Sequence, residues 1–457
     1  MLERFRAHLE SSQLIAPEDL VLVGYSGGPD STCLLDLLVA LGVPVVAAHL
    51  HHGQREEAKR EMERCQAFCA ELGVPFYPGR ADVPAIAKRQ GIGLEEAGRN
   101  ARYEFFRQVQ GLAHTTLVAT AHTRDDLLET VLLNLSRGTG LRGLAGIPEA
   151  RDGIVRPLLK FTRAETRAYC EAKGLWTHDD PSNEDLAFAR ARVRHRVLPE
   201  LRLCHPGCDE AIERMARLAA EEDALLDSMA AAALERCELE PNGPLRFVAQ
   251  DAEVVLDRMR LAHVPRPLLR RAVRLAGAVV GGTFAYEHVA QVLEGLGHET
   301  LGSVTAEDGA AVAEWDEATL RVASTREPMA ARATLATPGE TASETFGWRF
   351  AIDRGPVEVD PLTACFDPGK VRGELHVRPA RPGDAIECGE GKKKVKDLFS
   401  AAKLSKSARR LLPIVCDFVG PVWIPGLRVS TRVRADARAQ DALRIRFGPL
   451  LGPSSHN

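Results

Sequence analysis

A short loop of glycine and hydroxyl residues near the N-terminus carries the strongest chemical signal in the chain. It reads Ser26-Gly27-Gly28-Pro29-Asp30-Ser31 and stands between an apolar run and a helical pattern. Glycines let the backbone bend sharply, so that consecutive N–H groups can approach an anion. The two serine hydroxyls add donors, and the following helix N-terminus adds partial positive charge. The loop is therefore expected to hold pyrophosphate.

This loop matches neither of two common nucleotide-binding patterns. The sequence contains no G-x4-G-K-[ST], which excludes a Walker A loop, and the loop is not a G-x-G-x-x-G dinucleotide fingerprint. Because serine, glycine and aspartate also favour helix caps, a simple capping turn is the alternative interpretation.

A histidine and two carboxylates form the second chemical signal. If a helix begins near Thr123, Asp126 and Glu129 lie three residues apart on one face, and His122 stands at its start. Two carboxylates in this position could orient an amine and accept its proton, or they could bind Mg²⁺. The alternative is an acidic first turn that complements the helix dipole, with His122 satisfied in the turn.

Two further stretches contain candidate ligands for phosphate or metal. His49, His51 and His52 stand close together and could form a zinc site, although no acidic or thiol partner is nearby. The turn at Gly138 and Gly140 could supply backbone N–H groups to phosphate, and a glycine cap of the preceding helix is the simpler account. The sequence leaves both alternatives open.

Basic side chains gather at three places. Arg99 and Arg102 share a helical face that could grip ATP phosphates or an RNA backbone, or could be solvated beside two glutamates. The second group could contact RNA or form a solvated face; it comprises Arg190, Arg192, Arg194 and Arg196. Residues 391–434 hold eleven Lys/Arg against two Asp/Glu, a local surplus that can bind phosphates. Its densest part is Lys392, Lys393, Lys394 and Lys396.

The glycine loop and the group of His122, Asp126 and Glu129 lie within a predicted α/β domain. Residues 20–205 alternate short, continuously apolar strands with helices, which is typical of a doubly wound parallel sheet covered on both faces. Such sheets bind ligands at the carboxyl ends of their strands. We expect a catalytic domain over 1–205, a mainly helical domain over 206–330 with short strands at 301–325, a linker over 326–345, and a small mixed α+β domain over 345–457.

Composition agrees with a multidomain protein of the cytoplasm. A length of 457 residues predicts two or three domains, and no apolar run reaches the ~18 residues of a membrane span. The N-terminal residues lack the apolar core of a secretory signal. None of the ten cysteines forms a Cys-x2-Cys pair, which favours free thiols in a reducing compartment. The net charge of −4 argues against a general nucleic-acid coat protein.

Taken together, these motifs resemble the tRNA(Ile)-lysidine synthase family of PP-loop ATP pyrophosphatases, in its long form. The resemblance covers about 1–205 and 375–430 and rests above all on Ser26–Ser31 and on the stretch from Thr120 to Leu144. The chain departs from the family pattern at His51, where an acidic or amide residue is usual. It departs again at Ala191, where the family usually has asparagine.

The resemblance implies an adenine nucleotide α hydrolase-like fold and a carbon–nitrogen ligase. ATP would activate C2 of the wobble cytidine in an isoleucine tRNA with a CAU anticodon, and free L-lysine would then displace AMP. The implied ATP-binding residues are Ser26, Gly27, Gly28, Pro29, Asp30, Ser31, His49, Gly138 and Gly140, with Mg²⁺ on Asp30. The implied catalytic residues are Asp30, Arg99, Arg102, His122, Asp126 and Glu129. The implied tRNA contacts are Arg190, Arg192, Arg194, Lys392, Lys393, Lys394 and Lys396.

Two other functions remain open at this point. A PP-loop tRNA thiolase is the nearer one, although such enzymes commonly need paired cysteines that are missing here. The other is a non-catalytic tRNA-binding protein on the same scaffold, since fold alone does not fix function. A homodimer is also left open.

Overall fold

A computed structural model describes residues 1–51, 56–178, 185–239, 245–248, 252–298, 300–325, 332–343, 347–389, 391–402 and 404–450. The chain divides into two compact units, Met1–Ala224 and Leu225–Asn457. Within the described residues, no helix combines the length and apolarity needed to cross a membrane.

The first unit is built on a six-stranded sheet with the order β3-β2-β1-β4-β6-β5. Its strands are β1 Val21–Gly24, β2 Val45–His51, β3 Phe76–Arg80, β4 Leu117–Ala119, β5 Ala150–Arg151 and β6 Ile154–Val155. Successive neighbours from β3 to β6 pair in parallel, and the short β5 is antiparallel to β6. Strand order reverses between β1 and β4, which creates a switch point at their carboxyl ends. The predicted doubly wound α/β fold is therefore confirmed.

Helices cover this sheet because side chains of β1 enter a core on each face. Val21 and Val23 pack in one cluster with Leu34 of the helix Pro29–Ala40, and Leu22 packs in another with Phe106 of the helix Leu94–Ala113. A strand that is buried on both faces reads as continuously apolar in the sequence. The helices of this unit are α1 Leu2–Ser12, α2 Pro29–Ala40, α3 Glu56–Glu71, α4 Val83–Gln90, α5 Leu94–Ala113, α6 Arg124–Ser136, α7 Leu141–Leu144, α8 Arg163–Lys173, α9 Ala189–Arg192 and α10 Leu198–Cys204. The next helix, α11 Cys208–Cys237, begins in this unit and ends in the second.

The N-terminal part of the second unit combines an antiparallel sheet with helices. The sheet order is Glu253–Asp257, Thr319–Ser324, Ala311–Trp315 and Gly302–Thr305. The short helix Arg258–Leu261 follows the first of these strands, and the helices Arg266–Val279 and Tyr286–His298 share a core with the sheet. The strands expected at 301–325 are present, and Glu253–Asp257 is an additional strand that the sequence pattern did not indicate.

The C-terminal part contains two antiparallel sheets and a hairpin. One sheet has the order Ala333–Thr334, His376–Arg378, Ile414–Cys416, Pro421–Ile424 and Arg428–Val429. The other has the order Gly339–Ser343, Trp348–Gly355, Ala442–Pro449 and Thr363–Phe366. The hairpin joins Ala385–Cys388 to Gly391–Lys394, and helices Val395–Ala401 and Lys406–Leu411 follow. The expected linker at 326–345 therefore contributes strands, because Gly339–Ser343 pairs along Trp348–Gly355.

Candidate active site

The glycine loop connects β1 to α2 and is held in shape by its own hydroxyls. The Ser26 N–H donates to Ser31 Oγ at 3.2 Å, and the two serine Oγ atoms lie 3.1 Å apart. Ser31 Oγ in turn donates to the Gly28 carbonyl at 3.0 Å. Gly28 is the N-cap of α2, and Pro29 takes the first helical position, where its missing N–H costs nothing. The loop therefore meets the requirements of an anion site at a helix N-terminus.

Gly27 is the position in this loop that tolerates no side chain. Its φ is +80°, and a Cβ there would lie 2.9 Å from Cys65 Sγ and 3.2 Å from the Trp176 ring. The Gly27 carbonyl accepts a hydrogen bond from the His178 N–H at 2.8 Å, and His178 Nε2 lies 3.0 Å from Glu61 Oε1. Residues of α3 and of the segment after α8 thus pack against the loop where it bends. The sequence assigned no role at this loop to Trp176 or His178, because their contacts with it come from a segment about 150 residues further along the chain.

The predicted group of His122, Asp126 and Glu129 lies at the start of α6, after β4, on the same edge of the sheet as the glycine loop. Thr123 is the N-cap, and Asp126 Oδ2 accepts both its N–H and its hydroxyl at 2.8 Å, which forms a capping box. His122 Nδ1 lies 2.9 Å from Thr120 Oγ1. The expected helix start is correct, and one oxygen of Asp126 is used by the cap.

Glu129 is fully buried and is surrounded by arginines. Its Oε1 accepts from Arg163 Nη1 at 3.1 Å and Arg194 Nε at 2.7 Å. Its Oε2 accepts from Arg190 Nε at 3.1 Å and Arg194 Nη2 at 3.2 Å. Arg190 and Arg194 come from α9 and the π-helical turn Val193–Val197 that follows it. Two arginines predicted to contact tRNA thus bind this carboxylate, whereas Arg192 is exposed.

Arg163, the first residue of α8, joins the two halves of the site. Its Nη2 lies 3.0 Å from Asp126 Oδ1, and its Nε lies 3.6 Å from Asp30 Oδ2. Together with the Glu129 contact, one guanidinium reaches three predicted catalytic carboxylates. Sequence reasoning missed Arg163, although the capping box of Thr162 and Glu165 beside it was a recognisable helix start.

Burial and charge set the protonation of these groups. Burial, aided by the charge of Asp126, raises the pKa of Asp30 to about 6, although Thr166 and Arg163 oppose the shift. Burial would also raise the pKa of Asp126, but Arg163, His122 and Arg190 together hold it below its usual value. Burial lowers the pKa of His122 to about 4, so this imidazole is neutral near pH 7.

The remaining predicted ATP ligands occupy local structural positions around the site. His49 is buried with Nδ1 2.9 Å from the Tyr25 carbonyl, directly before the glycine loop. Gly138 has a φ of +76° just after α6 ends, and Gly140 is the N-cap of α7. These glycines have the local roles of a turn and a cap, and their contact with phosphate stays a prediction.

The predicted arginines of α5 lie beside the same edge of the sheet as the carboxylates. Arg99 stacks over the ring of Tyr103 at 5.3 Å, and Arg102 is close enough to His122 and Arg190 for its charge to act on both. Buried Arg156 donates to the Pro148 carbonyl at 2.8 Å and adds another cation. The predicted pair on α5 therefore borders a strongly basic region.

Two predicted features lie elsewhere or partly outside the described residues. Lys392, Lys393 and Lys394 form an exposed hairpin strand in the second unit, and Lys396 is exposed on the next helix. No group of three His, Cys, Asp or Glu residues within the described chain could hold a metal ion. Of the possible zinc ligands, His49 and His51 are described, and His52 lies outside the described residues.

Comparison with known proteins agrees with this geometry. The family profile described as PP-loop domain matches residues 1–201, and the profile described as TilS substrate C-terminal domain matches residues 375–447. The sheet and its glycine loop therefore define an ATP-utilising protein of the PP-loop class. The chain is 30% identical to the tRNA(Ile)-lysidine synthase of Caldanaerobacter subterraneus, over 98% of this chain and 97% of that protein.

Two further tRNA(Ile)-lysidine synthases are similar at the same level. The protein of Geobacter sulfurreducens is 33% identical over 98% of this chain and 97% of its own length. That of Geobacillus kaustophilus is 32% identical over 94% and 95%, respectively. The chain belongs to the tRNA(Ile)-lysidine synthase family, and it is an enzyme of that type.

Proposed function

We propose that this chain converts the wobble cytidine of a CAU-anticodon isoleucine tRNA into lysidine, using ATP and free L-lysine and releasing AMP and pyrophosphate. One observation carries the proposal. The glycine loop after β1 and the carboxylates after β4 meet at the switch point of the sheet, where Arg163 joins Asp30 to Asp126. A nucleotide site and an amine site are thus adjacent, as a two-step transfer requires.

The adenylation step follows from the loop. Its N–H groups and the α2 N-terminus would bind the β and γ phosphates, which leaves the α phosphorus open to the cytosine O2. Asp30 would hold Mg²⁺, because a carboxylate oxygen is the kind of ligand that Mg²⁺ prefers. When bound, the ion would neutralise charge on the departing pyrophosphate.

The amine step follows from the difference between Asp126 and Glu129. Both oxygens of Glu129 are already hydrogen-bonded to guanidinium groups, each of them twice. Asp126 Oδ1 receives one guanidinium N–H and retains a lone pair, and its side chain is 15% exposed. We assign Asp126 to the lysine ε-amine, whose proton it would accept, and Glu129 to the positioning of the arginines.

The tRNA would contact basic side chains in both units. Arg192 and the lysine hairpin strand at Lys392–Lys394 are exposed, so their positive charge is accessible to the phosphates of a bound RNA. The proposed compartment is the cytoplasm, and the proposed division is catalytic 1–205, middle 206–330 and C-terminal 345–457.

A nucleotide assay tests the proposed chemistry. With tRNA, lysine and Mg²⁺ present, radiolabelled ATP should yield AMP and pyrophosphate in equal amounts. Formation of ADP would contradict the use of the glycine loop for α,β cleavage. Sulfur incorporation, or tRNA binding without any nucleotide turnover, would favour the thiolase or the non-catalytic alternative.

A further inference from the structure

One arginine contacts carboxylates from two separate elements of the site. Arg163 Nη2 and Nη1 donate to Asp126 Oδ1 at 3.0 Å and to Glu129 Oε1 at 3.1 Å on α6. Arg163 Nε lies 3.6 Å from Asp30 Oδ2 on α2. Its side chain is 23% exposed, so these ion pairs are shielded from most solvent.

The start of α8 is itself fixed against both elements. The Arg163 N–H donates to Asp125 Oδ2 at 2.8 Å, and Thr166 Oγ1 donates to Asp30 Oδ1. Thr162 caps the helix through a reciprocal capping box with Glu165. The guanidinium group therefore extends from a capped helix start whose backbone is held by hydrogen bonds.

The three carboxylates depend on Arg163 to different degrees. Glu129 keeps Arg190 and Arg194 if Arg163 is removed, and Asp30 keeps Thr166. Asp126 keeps both hydrogen bonds from Thr123, but these hold Oδ2, whereas Arg163 is the donor to Oδ1, the oxygen assigned to the lysine amine. Removal of the guanidinium should consequently change the surroundings of Asp126 Oδ1, the oxygen that would face the lysine amine.

We propose that Arg163 is a positioning residue that holds Asp126 at a fixed separation from Asp30, so that the carboxylate which binds the lysine amine faces the adenylate formed beside the glycine loop. This inference rests on the proposed function. A planar guanidinium suits the task because it can bond several carboxylates in fixed directions, which an ammonium group cannot do.

The test compares the two half-reactions in the full-length protein. Adenylated tRNA formed without lysine measures the first step, and lysidine formation across a lysine series gives kcat and KM for the second. Arg163→Gln should raise the lysine KM at least about tenfold, as expected when a charged hydrogen bond is removed. Its adenylation rate should fall by a smaller factor than its use of lysine, because Asp30 keeps the hydrogen bond from Thr166. The lysine KM of Arg163→Lys should lie between those of the wild type and Arg163→Gln.

Arg4→Gln is the matched control, because Arg4 donates to Glu165 on the same helix turn but lies outside the site. It should leave both half-reactions unchanged. An equal loss of both steps in Arg163→Gln, or an unchanged lysine KM, would overturn the inference. If circular dichroism shows that Arg163→Gln is unfolded, Arg163→Lys decides, and a wild-type lysine KM in that variant counts against the role. Wild-type protein that forms no lysidine would overturn the proposed function and the inference together.

Discussion

The carboxylate of Glu129 and the guanidinium of Arg194 form a two-point ion pair in the interior of the first unit, with Nε 2.7 Å from Oε1 and Nη2 3.2 Å from Oε2. Arg163 and Arg190 bind the same carboxylate. One buried anion thus contacts three cations, of which Arg163 also contacts Asp126 and Asp30. Removal of Glu129 would leave the three guanidinium groups without this shared counter-charge.

Glu129→Ala should therefore lower the free energy of unfolding of the protein. Breaking a buried ion pair by removing one partner costs about 3–5 kcal/mol. Urea unfolding followed by circular dichroism measures the change. Glu210→Ala, which removes an exposed partner of Arg124, is the control and should shift the transition far less. Equal transitions for the two variants would contradict the buried network.

Asp126→Asn should separate the two half-reactions. The amide oxygen can still accept from Thr123 and so preserve the helix cap, but the variant lacks the charge that faces the lysine amine. Adenylated tRNA should still form without lysine, whereas lysidine formation should fall by at least about a hundredfold, the lower end of acid–base contributions. An adenylation rate that falls by the same factor would indicate that Asp126 serves the nucleotide instead.

The sequence was sufficient to predict the parts of this site that are local. The loop at Ser26–Ser31 and the helix start at Thr123 each depend on neighbouring residues, and both appear where they were expected. Arg163 could not be assigned because its role depends on tertiary contacts with carboxylates more than 30 residues away. Long-range placement of this kind leaves no periodic pattern in the chain.

The same limit explains the arginines of α9. Their helical spacing is equally compatible with a surface that binds RNA and with an internal ion-pair network, because a sequence does not show which face is buried. In the fold, Ala191 and Val193 pack inward while Arg190 and Arg194 reach Glu129. The strand at Gly339–Ser343 was missed for a related reason, since its pairing partner alone gives that polar segment a regular structure.

His122 should make stability depend on pH in one direction. Its pKa is about 4 in the folded protein against 6.5 in the unfolded chain, so the unfolded state binds more protons between these values. Stability from this group is present above about pH 6.5 and is lost as the pH falls toward 4. When the pH is lowered from 6.5 to 5, the free energy of unfolding should therefore decrease by about 1.5 kcal/mol less in His122→Asn than in the wild type. Equal losses of unfolding free energy in the variant and the wild type would contradict a neutral imidazole at position 122 of the folded protein.

The lysine hairpin should contribute to tRNA affinity by neutralising phosphates. Removing one lysine that meets a phosphate should reduce the salt slope of binding by roughly 0.7–0.9 units, so that neutralising Lys392, Lys393, Lys394 and Lys396 should flatten it by up to about 3 units. Filter binding across a salt series measures the slope, and Lys370→Gln, an exposed lysine paired with Asp367, is the control. A slope and affinity equal to those of wild type would mean that the hairpin is a solvated surface.

The most direct test of the proposed function is mass spectrometry of the wobble nucleoside. A CAU-anticodon isoleucine tRNA is incubated with the protein, ATP, Mg²⁺ and L-lysine, and then digested to nucleosides. The wobble cytidine should gain the mass of one lysine residue, and only when ATP and lysine are both present. An unmodified cytidine, or a modification that forms without lysine, would contradict it.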